Sequence, residues 1–329
     1  MHLTLLGTAV LLSYVVSGFS RTVIVYPPTA TTVRLKADTT SDGFQTPEAT
    51  SLFGKPLVSA PVTGEQKTRL EADLAKAQAD YDRDPSSAET AIWLGRRLAY
   101  LGRFRDAIDV YTRGIATHPG EARLYRHRGH RYITTRKFDE AIADLRKASQ
   151  LVAGKADEVE PDGAPNKAGI PRSTLQSNIW YHLGLAQYLR GDFQGALASY
   201  REGMKVSRVN DDMLVATSDW LYMTLRRLKR DAEARQVLEP ITEQMDVLEN
   251  GAYHGRLLMY KGLRTPESVL NLNTADDVQI ATQGYGVGHW YLVNGDRATA
   301  KEIYDRVVAG KAWGAFGYIA AEADLKRGF

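Results

Sequence analysis

The sequence has no cysteine among its 329 residues. This absence excludes a disulfide scaffold, a thiolate zinc site, an iron–sulfur cluster and a thiol nucleophile. An excess of one charge is lacking as well, since 42 Lys and Arg side chains stand against 39 Asp and Glu. Hydrophobic residues make up 43% of the chain, as in ordinary folded domains. Any preference for a charged ligand must therefore come from a local concentration of charge.

Catalytic motifs are also missing. There is no G-x-S-x-G elbow, no Walker phosphate loop and no H-E-x-x-H pair. The glycine-rich stretch Gly284–Gly288 fits the start of a helix better than a phosphate loop. We therefore predict no enzymatic activity, no catalytic residues, no cofactor and no metal site.

The N-terminal sixty residues allow two interpretations. Residues 3–19 are apolar, but the first positive charge, Arg21, follows this run instead of preceding it, so residues 1–20 are a weak candidate for a signal or membrane segment. Residues 15–42 also resemble translated intergenic repeat elements of some bacterial genomes, which would place the true start further on. Both alternatives stay open, and with them a location in the bacterial envelope or periplasm, or in the cytoplasm. Residues 21–62 are rich in Thr, Ser, Pro and Gly and are predicted to be a disordered leader or linker.

A period of 34 residues runs through the rest of the chain. Leu94-Gly95, Gly102-x-Phe104 and Ala107 recur 34 residues later as Gly129, Phe138 and Ala141. The third copy is the clearest and reads Trp180-x-x-Leu183-Gly184, followed by Gly191-Asp192-Phe193, Ala196 and Tyr200.

This W-x-x-L-G…A-x-x-x-F pattern resembles the tetratricopeptide repeat family. The resemblance implies an all-α fold, a right-handed superhelical solenoid of stacked antiparallel helix pairs. Its small residues would let the two helices of a pair approach closely.

The frame of the repeat predicts the organisation of residues 63–329. The predicted units are a partial repeat at 63–85, repeats at 88–119 and 122–153, an insertion at 154–175, repeats at 177–210 and 215–246, a degenerate repeat at 248–272, a repeat at 281–310 and a terminal helix at 313–327. In that last helix Phe316, Ile319 and Ala320 are expected to cover the exposed end of the array. Glu322 and Asp324 are expected to face water.

The insertion is too long for a turn between repeats. It contains three prolines, three glycines and the acids Asp157, Glu158, Glu160 and Asp162. Two alternatives stay open: an excursion that folds across the concave face of the solenoid, or a solvated loop. A calcium site is not expected, because the spacing of an EF-hand and its closing glutamate are absent.

The resemblance also implies where a ligand would bind, because ligand contacts in this family come mostly from the first helix of each pair. Carried onto this sequence, the predicted partner-binding residues are Arg96, Tyr100, Arg123, Arg126, His130, Tyr181, Tyr188, Arg226, Arg227, Tyr285 and His289. Arginine offers a planar fork for carboxylate or phosphate, and tyrosine adds a stacking face and a hydroxyl. By contrast, His127 and His182 are predicted to be packing residues.

Two functions suit such a basic and aromatic wall. The first is a non-enzymatic scaffold for protein–protein interaction, which would hold an extended or helical acidic segment of a protein or peptide partner in the groove. The alternative is binding of single-stranded nucleic acid or another polyanion. The oligomeric state stays open.

Overall fold

The computed structural model describes residues 46–161, 163 and 166–329. The predicted signal or membrane segment, most of the predicted leader and Asp162 lie outside these residues. In the part of the chain that is described, no helix is both long and apolar enough to cross a membrane. Where the leader is described, from residue 46 onward, the prediction of disorder is wrong. Strands β1 (Ala49–Thr50) and β2 (Pro56–Leu57) pair as an antiparallel hairpin, and Leu57 is buried in the main core.

Helices make up nearly all the regular structure of the remaining described residues. They are α1 (Gly64–Arg83), α2 (Ala88–Tyr100), α3 (Phe104–Thr117), α4 (Ala122–Thr134), α5 (Phe138–Val152), α6 (Leu175–Arg190), α7 (Phe193–Val206), α8 (Asp211–Arg227), α9 (Asp231–Leu238), α10 (Gly251–Tyr260), α11 (Pro266–Val269), α12 (Asp277–Val293), α13 (Arg297–Ala309) and α14 (Phe316–Arg327).

These helices pack as consecutive pairs. The pairs α2–α3, α4–α5, α6–α7 and α12–α13 make the most extensive contacts, and α2 and α4 begin 34 residues apart, at Ala88 and Ala122. The predicted all-α array of stacked helix pairs is confirmed. The degenerate unit is visibly shortened, since its second helix, α11, has only four residues. Helices α6, α8 and α12 begin a few residues before the predicted repeat bounds.

A glycine on the first helix of a pair faces a tyrosine on the second. A Cβ atom added at Gly184 would lie 2.7 Å from the ring of Tyr200, and one at Gly288 would lie 2.6 Å from the ring of Tyr304. Both tyrosines are fully buried. The ring therefore occupies the space that a side chain on the first helix would need, and this contact sets how closely the pair packs.

Replacing Gly184 with leucine should overpack this contact and lower the free energy of unfolding by about 3 kcal/mol, because the buried ring of Tyr200 has nowhere to move. Thermal unfolding followed by circular dichroism would show a lower Tm. The matched control is Gly251→Leu, at the start of α10, where an added Cβ meets no atom within 4 Å. Equal Tm values for the two variants would contradict the close approach described for Gly184.

The terminal helix α14 differs from its prediction. Glu322 and Asp324 were expected to face water, but they are only 1% and 0% exposed. Helix α14 packs on α12 and α13 and also touches α6, so it turns back along the array instead of ending it. Both its apolar and its acidic faces are consequently covered by protein.

Glu322 lies at the centre of this closure. Arg136 Nε donates to its Oε2 at 2.9 Å, and the backbone N–H of Leu52, in the hairpin turn, donates to its Oε1 at 2.9 Å. Burial lowers the pKa of Arg136 and the carboxylate of Glu322 opposes that effect, so each charge depends on the other. One buried carboxylate thus joins the N-terminal hairpin, the α4–α5 turn and α14.

Glu322→Gln should destabilise the fold strongly, by about 3 kcal/mol, because Arg136 would remain buried without its counter-charge. Calorimetry of the wild type and the variant would measure the loss. Glu302→Gln, on an exposed position of α13, removes the same charge and should leave Tm within a degree or so of the wild type. A Glu322→Gln protein as stable as the Glu302→Gln protein would show that this ion pair does not hold the closure.

Candidate functional site

The first helices of the pairs lie side by side and form a surface that we call the inner face. It is built from α2, α4, α6, α8 and α12, in which neighbouring first helices touch one another. All eleven predicted partner-binding residues lie on these helices. The structure does not bring them together in one open wall, because two other parts of the chain cover the inner face.

The first cover is the insertion between α5 and α6, residues 153–174, which we call the strap. Arg96 Nη2 donates to the carbonyl of Pro161 at 2.8 Å, and Arg97 Nη1 donates to the carbonyl of Gly163 at 2.8 Å. Tyr100 lies beside Gly163, where a Cβ atom would overlap the tyrosine hydroxyl. Of the two alternatives for the insertion, the excursion across the inner face is the one that the structure shows.

The strap places one carboxylate inside the protein. Glu160 is only 5% exposed, and its Oε2 accepts from Asn178 Nδ2 at 2.8 Å and lies 3.1 Å from Arg126 Nε. Its Oε1 lies 3.3 Å from His127 Nε2. The Arg126 N–H is not aligned for a hydrogen bond, so this contact is an ion pair. We call Arg126, His127 and Asn178 the carboxylate cradle.

The protonation of the cradle follows from its contacts. Arg126 Nη1 lies 3.0 Å from His127 Nδ1, and because a guanidinium can only donate, Nδ1 must accept. The imidazole proton then sits on Nε2 and points to Glu160. Burial holds the pKa of His127 well below its usual value, and the nearby charges of Arg126 and Arg96 act in the same direction. The cradle therefore offers one positive charge and two neutral donors to the carboxylate.

Positive charge exceeds negative charge around the cradle. Burial lowers the pKa of Arg131 to about 10, with the charges of Arg126 and Arg96 contributing, and no carboxylate among the described residues forms an ion pair with it. Its guanidinium instead lies 5.4 Å from the ring centre of Phe104. Three guanidinium groups thus share Glu160 as their acidic neighbour, which makes this end of the inner face a site for anions.

His130 sits next to the cradle in an aromatic cluster. Its ring lies 4.4 Å from that of His182 and 5.3 Å from that of Phe316, the first residue of α14. His182 Nδ1 lies 2.6 Å from the carbonyl of Asn178, which must accept, so this histidine is a buried packing residue as predicted. Burial also holds the pKa of His130 well below its usual value.

The second cover is α14, which brings Asp324 to the other end of the inner face. Tyr285 Oη donates to Asp324 Oδ2 at 2.9 Å, and Tyr188 Oη lies 2.6 Å from Tyr285 Oη. Arg227 Nη1 lies 3.4 Å from the same carboxylate oxygen. Three predicted partner-binding residues, Tyr188, Arg227 and Tyr285, therefore meet around a carboxylate of the chain itself.

Two predicted arginines are paired at the edges of the array. Arg123 forms ion pairs with Glu89 at 2.6 Å and with Glu121 at 2.9 Å. Arg226 pairs with Asp231 at 2.9 Å. Neither lies in the carboxylate cradle.

The last two predicted residues are packed between helices. The hydroxyl of Tyr181 lies 2.8 Å from that of Tyr253 and accepts from Trp220 Nε1 at 2.9 Å. His289 is fully buried, and neither ring nitrogen has a hydrogen-bond partner among the described residues. Their role in binding a partner stays a prediction.

Sequence reasoning did not assign three residues of this site. Asn178 lies at the second position of its predicted repeat, on the same face as the other predicted residues, so the repeat frame contained the signal. His127 was assigned to packing, although it also faces the carboxylate of Glu160. The acidic run of the insertion was recognised, but nothing in its pattern distinguished Glu160 from Glu158. In the described residues, no group of three or more His, Asp or Glu side chains is placed to hold a metal ion.

The depressed pKa of His130 makes stability depend on pH. Below about pH 6.5 the unfolded chain binds a proton at this histidine that the folded protein does not, so stability falls as the pH falls. His130→Gln removes this term, and its free energy of unfolding should fall less steeply between about pH 6.5 and 5, by up to about 1.4 kcal/mol per pH unit.

Urea titrations at several pH values would measure this slope. His118→Gln, at a partly exposed position after α3, is the control and should keep the wild-type slope. A wild-type slope for His130→Gln as well would show that His130 takes up its proton in the folded protein.

Comparison with known proteins adds only distant likenesses. No model of a known protein family matches the chain, and no curated protein matches it. Among solved structures, YrrB, a TPR protein with an unusual peptide-binding site, is 15% identical, with a TM-score of 0.39 over 72% of this chain and 91% of YrrB. PilF of Pseudomonas aeruginosa is 16% identical, with a TM-score of 0.44 over 74% of this chain and 85% of PilF. The fold assignment rests on the chain itself: its 34-residue spacing and its glycine–tyrosine contacts identify a tetratricopeptide-type array of helix pairs.

Proposed function

We propose that this chain is a non-enzymatic scaffold that binds an acidic segment of a partner protein on its inner face. The observation that supports this most directly is the carboxylate cradle, where Arg126, His127 and Asn178 surround the side chain of Glu160. Arg96 and Arg131 add positive charge beside it. A surface that already solvates one buried carboxylate has the donors that a partner's glutamate or aspartate requires.

The two covers also bear on the shape of the partner segment. The strap presents Glu160 from non-helical backbone, and α14 presents Asp324 from a helix. Both reach the inner face of the same array. An extended or a helical acidic segment would therefore suit the geometry of this face.

The distribution of aromatic rings favours a protein over a nucleic acid. Tyr111, Tyr188 and Tyr285 are at most 1% exposed, so their faces are closed to bases. Trp93 and Tyr100 are partly exposed, but the guanidinium of Arg96 already lies 4.6 Å from the ring centre of Trp93. Single-strand binding generally uses a run of open aromatic faces along the backbone path.

The test compares the binding of labelled peptides by fluorescence anisotropy. One peptide alternates glutamate and alanine, and its partner has glutamine in place of every glutamate. The wild-type protein should bind the glutamate peptide, and more weakly at higher salt. Arg96→Ala should weaken this binding about threefold or more, whereas Arg113→Ala, at an exposed position of α3, should leave it unchanged.

Two outcomes would contradict the proposal. Equal binding of the glutamate and glutamine peptides would show that carboxylates are not recognised. Stronger binding of oligouridylate than of the glutamate peptide, with the same loss in Arg96→Ala, would favour the polyanion alternative.

A further inference from the structure

The contacts between the inner face and the tip of the strap run in one direction. The tip, residues 159–163, supplies acceptors: the carboxylate of Glu160 and the carbonyls of Pro161 and Gly163. The inner face supplies the donors, from Arg96, Arg97 and the carboxylate cradle. The inner face therefore recognises backbone carbonyls and one carboxylate, which any extended acidic segment could provide.

We propose that the carboxylate cradle is a subsite for a glutamate side chain of the partner segment, and that Glu160 occupies this subsite as a competitor within the chain. This inference rests on the proposed function and specifies its chemistry. The partner would displace the tip of the strap and place its own glutamate between α4 and α6. Its affinity would then be reduced by the fraction of molecules in which the strap is bound.

The chemistry of the tip describes the segment that would replace it. An isolated bridge between Val159 and Thr174 holds the backbone extended as it reaches the cradle. The residue after the glutamate is Pro161, which has no N–H to satisfy. Gly163 leaves room for the hydroxyl of Tyr100, which a Cβ atom would overlap. The best partner segment is thus extended, with a glutamate followed three residues later by glycine.

The strap is fixed at its base independently of its tip. Asp157 accepts from Thr174 Oγ1 at 2.6 Å and from the backbone N–H of Gln176 at 2.9 Å, both at the start of α6. Arg172 pairs with Asp246 at 2.7 Å, on the other side of the tip. The tip can therefore leave the cradle while both ends of the strap stay in place.

The second cover is a poorer candidate for displacement. Helix α14 contributes Tyr318, Ile319, Ala320 and Ala321 to the main core, so releasing Asp324 would expose a large apolar area. By contrast, Val159, next to Glu160 in the tip, is 61% exposed, and Glu158 is exposed as well. Glu160 is therefore the carboxylate that a partner can replace at low cost.

The experiment compares Glu160→Gln with Glu158→Gln, which removes the same charge two residues away at an exposed position of the strap. The probe is a fluorescein-labelled peptide with the sequence of residues 155–163, Lys-Ala-Asp-Glu-Val-Glu-Pro-Asp-Gly. Glu160→Gln weakens the strap's hold on the cradle, so this protein should bind the peptide at least about tenfold more tightly than the wild type. Glu158→Gln should bind like the wild type. A peptide that itself carries Glu160→Gln should bind weakly to all three proteins.

Each result separates the two proposals. If the wild type and Glu160→Gln bind the peptide equally, the strap is not a competitor, although the scaffold function stands. If none of the proteins binds the strap peptide but the alternating glutamate peptide still binds, the cradle is not the subsite and the scaffold function again stands. If neither peptide binds any of the proteins, both proposals are wrong.

A second measurement uses the wild-type protein and does not depend on the stability of a variant. Trypsin can cleave after Lys167, an exposed residue of the strap. Saturating strap peptide should displace the tip and accelerate this cleavage severalfold relative to cleavage elsewhere in the chain. The peptide with Glu160→Gln is the control and should not accelerate it. Unchanged cleavage with both peptides would overturn the competition.

Discussion

Buried positive charge on the inner face must be matched by carboxylates, and the covered form of this molecule depends on that requirement. A guanidinium removed from water without an acidic or hydrogen-bonding partner costs several kcal/mol. The helix pairs supply few acids where the arginines lie. The matching carboxylates come instead from the strap and from α14: Glu160 for Arg126, Glu322 for Arg136 and Asp324 for Arg227.

These ion pairs change how the array holds together. In an open solenoid each repeat contacts only its neighbours, and stability is close to a sum of local terms. Here α14 reaches α6, Glu322 reaches the backbone of Leu52, and Trp313 Nε1 donates to the carbonyl of Val58 at 2.7 Å. The two ends of the described chain thereby meet. Local changes at either end are coupled to the middle of the array.

A covered inner face also changes the energetics of partner binding. A partner does not meet a solvated surface, but one whose donors already hold carboxylates of the same chain. Its free energy of binding is therefore the difference between its own contacts and those that it replaces. The two covers differ in this respect, because the tip of the strap buries little apolar surface and α14 buries much.

The sequence by itself determined the helix pairs, their 34-residue spacing and the positions that point inward. Gly184 and Tyr200 announce a close helix contact, and Arg96 and Arg126 lie on the inner face, because these features depend on helical periodicity within a single repeat. This local pattern also placed the end of the array near residue 313, although the shortened fifth unit was recognised only as degenerate.

Tertiary structure alone decided what covers that face. Periodicity shows that Glu322 and Asp324 differ in position from the apolar residues of α14, but not that protein instead of water lies against them. Likewise, the acids of the strap are equally compatible with a solvated loop until the backbone path brings Glu160 between α4 and α6. Arg136 and Glu322 are 186 residues apart in sequence, and the pair exists only because the chain turns back on itself. A contact of that kind depends on the path of the whole backbone, which no local pattern of residues contains.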